Sequence, residues 1–89
     1  MKNQVINFVR SEIESGNQVI MATCGNGGAG LTLSNDIALV EELESMEFEG
    51  GNQPAEDIET YNGYAPEDYN VYRFNGENGY YILIATYDI

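Results

Sequence analysis

The sequence predicts a small α+β domain, with two amphipathic helices packed on one face of an antiparallel sheet of about four strands. Three observations carry that expectation. Residues 5–13 and 37–46 place apolar side chains at helical spacing. Two pairs of β-rich runs are each joined by a turn rich in glycine and asparagine. The 89 residues, 43% of them hydrophobic, suit one globular domain over 1–89, with no internal repeat and no dividing linker.

Over residues 2–15, Val5, Ile6, Phe8, Val9 and Ile13 form one stripe. Arg10 and Glu14 stand on or near the other side as an i,i+4 pair, and Gly16 ends the helix. Residues 18–23 (QVIMAT) are apolar on both faces, as in an interior strand. The run Leu31, Thr32, Leu33 alternates like a short half-buried strand, so the glycines between the two runs make a hairpin tip. That tip contains G-x-G-x-x-G at Gly25, Gly27 and Gly30. A phosphate-binding version needs a helix opening at the motif. Here a strand follows and no second βαβ unit exists, so the nucleotide reading is set aside.

Ser34 or Asn35 is placed to cap the second helix, with Asp36 in its first turn, where the dipole favours an anion. Ile37, Leu39, Val40, Leu43 and Met46 form its buried side, and Glu41, Glu42, Glu44 and Ser45 face away. Residues 47–70 read as a long connection. Within it, 54–59 (PAEDIE) has the proline and early acids of a short helix, between turn signals at Gly50, Gly51, Asn62 and Gly63. Residues 71–74 and 80–87 are β-rich and joined by NGENG, which makes a second hairpin. The run 82–85 is apolar on both faces and belongs inside the sheet.

Charge is the feature that speaks to function. Fifteen acids stand against three bases, for a net charge of −12. Residues 36–68 carry no Lys, Arg or His at all. Such a surface repels nucleic acid and anionic lipid and suits a basic partner. The site residues expected from charge and exposure are Glu41, Glu42 and Glu44 on the helix. The connection adds the acids Glu56, Asp57, Glu59, Glu67 and Asp68, with Tyr61 and Tyr64 as anchors.

Other chemistry finds little support. The absence of histidine removes the commonest general base and metal ligand, and no cofactor, metal site or catalytic residue is expected. Cys24 stands alone, so no intrachain disulfide forms, and it is read as an inert thiol at a strand end. Carboxylate pairs such as Glu41/Glu44 or Glu56/Glu59 share a helix face, but paired-acid catalysis also needs a cleft that a domain this small hardly encloses. Asp68-x-Asn70 opens like a calcium loop, yet Tyr72 and Arg73 occupy the next ligand and glycine positions. No apolar run reaches membrane-span length, and no signal-peptide core follows Met1. A cytoplasmic monomer or homodimer that is not an enzyme is the expectation.

In size, charge and layout the chain resembles the small acidic inhibitors that phages encode: anti-CRISPR proteins, anti-restriction DNA mimics and the uracil-DNA glycosylase inhibitor. The likeness rests on a short single domain, the nearly base-free middle at 36–68 and a tyrosine-rich, high-β C-terminal half. It implies a protein that blocks a basic nucleic-acid-processing effector or nuclease in the host cytoplasm by stoichiometric binding, its carboxylates standing where phosphates are expected. It transfers no individual residue. An immunity or antitoxin protein against a basic toxin is an alternative. So is a structural or assembly subunit that pairs through a sheet edge such as 71–74.

Overall fold

The computed structural model describes residues 1–25, 28–51, 69–87 and 89, with only the backbone at 24–25 and 28–32. Helix α1 (Lys2–Glu14) begins the chain. It ends as its glycine requires: Gly16, at φ 85°, donates its N–H to Ile13 O, and Asn17 donates to Glu12 O. These two bonds make a Schellman motif, satisfying carbonyls that the last helical turn leaves open. Strands β1 (Val19–Gly25) and β2 (Gly28–Ser34) follow as an antiparallel pair, from Val19 opposite Ser34 to Gly25 opposite Gly28. The second strand is therefore longer than its apolar core.

Helix α2 (Ala38–Ser45) starts one residue after Ile37. Asp36 sets that start by accepting the Ala38 N–H at 2.9 Å, while Ser34 Oγ accepts the Asp36 N–H at 3.3 Å. The cap position itself is Ile37, so neither Ser34 nor Asn35 caps the helix, and Asp36 lies just before it rather than in its first turn. Ile37 consequently stands outside the helix and is 52% exposed, against the expectation that it joins the buried side. Leu39, Val40, Leu43 and Met46 are buried as expected.

Strand β3 (Glu47–Gly50) comes next, then β4 (Asn70–Asn75) and β5 (Tyr81–Thr86). The sheet order is β2-β1-β5-β4-β3, antiparallel throughout. Among the described residues it has five strands rather than about four, because the start of the expected connection pairs with β4, with Phe48 opposite Phe74. A bulge between Phe48 and Gly50 shifts the register, so that Gly50 stands opposite Arg73. Just beyond it, a Cβ on Gly51 would lie 2.7 Å from the Tyr72 ring, so only glycine passes there without displacing that ring. Strand β4, expected as a possible edge, is interior, and among the described strands the edges are β2 and β3. The β4–β5 turn carries Asn78 and Gly79 at φ 58° and 79°, with the Tyr80 N–H donated to Glu77 O. That is the signature of a type I′ hairpin turn.

Both helices cover one face of the sheet. There Val5, Val9, Leu39 and Leu43 pack with Met21, Tyr72, Phe74, Ile82 and Ile84. The other face carries a second buried cluster of Ile20, Ala22, Val71, Leu83 and Ala85, with Leu33, Tyr69 and Tyr81 against it. Two apolar faces explain why 82–85 shows no alternation. Thr86, also buried, donates its hydroxyl to the carbonyls of Asn70 and Ile89. Among the described residues no helix is long and apolar enough to cross a membrane.

Repulsion among uncompensated carboxylates is the main long-range force opposing this fold, and salt screens it beyond about 8 Å at physiological strength. The melting temperature is therefore expected to rise between low salt and roughly 0.5 M sodium chloride. The same comparison in a second salt separates screening from ion-specific effects. A flat response in both salts would show that charge repulsion does not limit the stability.

Candidate protein-binding face

The exposed side of α2 holds Glu41, Glu42 and Glu44, all three solvent-facing. One helical turn separates Glu41 from Glu44, an axial advance of about 4.5 Å. Its cause is local: Leu39, Val40 and Leu43 take the core side and leave these positions to water. Strand β3 extends the acidic surface. Phe48 turns into the core, stacking on Tyr72 and meeting Phe74 edge-on, while Glu47 and Glu49 to either side stay exposed.

The three bases of the chain are all taken up internally. Lys2 Nζ donates to the carbonyls of Glu44 at 3.2 Å and Met46 at 2.6 Å, at the C-terminus of α2, where the dipole favours a cation. Arg10 reaches across to Glu44 at 3.1 Å rather than along its own helix to Glu14, and also donates to Asn7. Arg73 lies 3.6 Å from Glu49, donates to Asn75 Oδ1 and rests 3.8 Å from the Tyr81 ring centre. Asn75 donates in turn to Glu49. So the acids of the face are only partly offset: Glu44 and Glu49 have cationic neighbours, and among the described residues no ion pair is formed by Glu41, Glu42 or Glu47. Exposed pairs of this kind are worth about 0–1 kcal/mol each.

The fold adds residues that the sequence did not single out. The β4–β5 turn brings Glu77 and Tyr80 beside the end of α2, where Glu42, Ser45, Met46, Gly76 and Asn78 complete a cleft of about 460 Å³. The Tyr80 hydroxyl donates to Glu42 at 3.4 Å across 38 positions of sequence. No local pattern announces that meeting. Glu47 and Glu49 alternate around Phe48, but the run is too short to read as a strand from the sequence. Of the other expected site residues, Glu56, Asp57, Glu59, Tyr61, Tyr64, Glu67 and Asp68 lie outside the described residues.

Partial burial raises the Tyr80 pKa above the ordinary 10.0, and the charge of Glu42 and the hydrogen bond to it add in the same direction. Because the folded state holds this proton more tightly, its contribution to stability is complete below pH 10.0 and is lost as pH rises through the folded pKa. Stability should therefore decline above that pH, and by less in Tyr80→Phe. Denaturation of both forms across the alkaline range checks this, since the other tyrosines cancel in the difference. Equal losses in the two forms would refute the assignment.

No protein-family model, curated protein or solved structure matches the chain. The case for function therefore rests on the face itself.

Proposed function

We propose that this chain is an acidic inhibitor, of the anti-CRISPR or DNA-mimic type, that binds and blocks a basic nucleic-acid-processing protein by stoichiometric association. One observation carries the reading. A helix and the strand after it present Glu41, Glu42, Glu44, Glu47 and Glu49 to solvent, and among the described residues only Glu44 and Glu49 of these have a cationic neighbour. Nucleic-acid-binding grooves are lined with Lys and Arg and release condensed counterions when a polyanion enters. Carboxylates fixed on backbone elements offer such a groove a preorganised polyanion, with less entropy to lose than a mobile acidic tail.

The test has two stages. The chain is used to capture basic proteins from lysate at low salt, and the captured protein is then saturated with its own nucleic acid. Added chain should release the nucleic acid, with release complete at one chain per binding site. A captured protein that keeps its nucleic acid while bound to the chain would exclude blocking at that site. A captured toxin with no nucleic-acid substrate would favour the immunity reading, which uses the same face.

A further inference from the structure

At the end of β5 away from the acidic face lies a second cleft, of about 610 Å³, within the size range of ligand sites. Its walls include Phe8 and Glu12 of α1, Asn17, Leu33, Tyr69 and Tyr87. Glu12 stands out among the described acids in being only 8% exposed. Asn17 Nδ2 donates to its Oε2 at 2.6 Å, and the Tyr87 hydroxyl donates to its Oε1. Both donors are neutral, and a carboxylate has room for further hydrogen bonds. No cation of the chain meets this charge. Lys2 sits at the end of α2, Arg10 on Glu44, Arg73 on Glu49, and the terminal ammonium at Met1 is at the far end of α1. The chain contains no histidine. A buried carboxylate without a counter-charge is costly, and an incoming cation relieves that cost.

The rings beside it narrow the choice of cation. Tyr87 meets Phe8 edge-on at 5.0 Å and Tyr69 edge-on at 6.2 Å, so the ring planes stand nearly perpendicular to their neighbours. Tyr87 is nonetheless 44% exposed, which leaves part of its ring open to solvent. Aromatic faces attract cations, and a planar guanidinium both stacks on rings and bonds a carboxylate in its own plane. We propose that this cleft receives one arginine side chain, carried on an exposed segment of another polypeptide, with its guanidinium held by Glu12 against the rings of Phe8, Tyr69 and Tyr87. The site is independent of the α2 face, from which it is separated by the length of β5.

The test is an amide NMR titration of the intact chain with a capped pentapeptide bearing a central arginine between glycines. Saturable shifts should centre on Phe8, Glu12, Asn17 and Tyr87. The same peptide with citrulline, which keeps the shape and lacks the charge, should not bind. Glu12→Gln should weaken the arginine peptide about tenfold or more, as expected on removing a buried charge partner. If that variant does not fold, Phe8→Leu serves, and it should weaken binding about threefold through the lost ring face. Free arginine binding as tightly as the peptide would identify a small-molecule cation as the occupant and overturn the polypeptide assignment. Shifts centred on Glu41, Glu42 and Glu44, equal binding of the citrulline peptide, or unchanged affinity in the folded variants would each overturn the proposal. None of those outcomes bears on release of nucleic acid from a captured partner, so the two readings fail separately.

Discussion

Reversing Glu41, Glu42 and Glu44 to Lys together is expected to abolish association with a basic partner while leaving the far-UV spectrum unchanged. All three side chains are exposed, and none belongs to the buried set of Leu39, Val40 and Leu43. The fold loses the Arg10–Glu44 contact, an exposed pair worth about 0–1 kcal/mol. Binding loses much more. The three reversals remove half of the net charge of −12 and place positive groups where a basic groove would dock. Steering by complementary charge raises association rates by roughly 10- to 1,000-fold, and like charges across an interface cost several kcal/mol. The loss should appear first in the association rate, and its salt dependence should flatten. Stopped-flow or biosensor kinetics at several salt concentrations separate that outcome from a slower general destabilisation. A variant that binds as tightly as the parent would leave α2 as a merely solvated face.

Phe74→Ala is expected to cost about 3–5 kcal/mol, the usual range for a fully buried phenylalanine. Phe74 is 0% exposed, lies opposite both Phe48 and Ile82 in the sheet, and meets the Phe48 ring edge-on at 5.3 Å. Its removal opens a cavity between the helices and three strands, and β3 loses the ring that holds Phe48 inward. A domain of this size has a total stability of roughly 4–13 kcal/mol, so the variant loses about a quarter of it or more. Ile37→Ala provides the contrast. Ile37 is 52% exposed, and its truncation should change stability by no more than about 0.5 kcal/mol. Urea denaturation of the two variants gives both values. Similar losses would contradict the helix start that places Ile37 outside the core.

Much of the candidate face is legible in the sequence. Glu41, Glu42 and Glu44 follow from the spacing of Leu39, Val40 and Leu43, and the structure leaves all three in solvent. The meeting of Glu42 with Tyr80 is not legible that way, since the two come together only because the β4–β5 turn folds beside the end of α2. Strand β3 escapes sequence reading for a different reason. Four residues between a helix and two glycines are too short for periodicity to register, although Glu47, Phe48 and Glu49 do alternate.

What the sequence by itself determined was local: α1 with its glycine stop, α2 with its anionic side, and the two hairpins. Helical spacing, alternation and the positive φ of Gly16 and Gly79 depend on a residue and its near neighbours along the chain. The tertiary structure alone decided where the charges go. It sends Arg10 to Glu44 across 34 positions instead of to Glu14 one turn away, and sets Lys2 on the carbonyls that close α2. Helical spacing sets Glu12 on the same side as Val5 and Val9, but only packing brings it the Tyr87 hydroxyl, 75 positions later. The reason is physical: an ion's partner is whichever group packing brings within a few ångströms, and packing is chosen by the apolar core rather than by the ions.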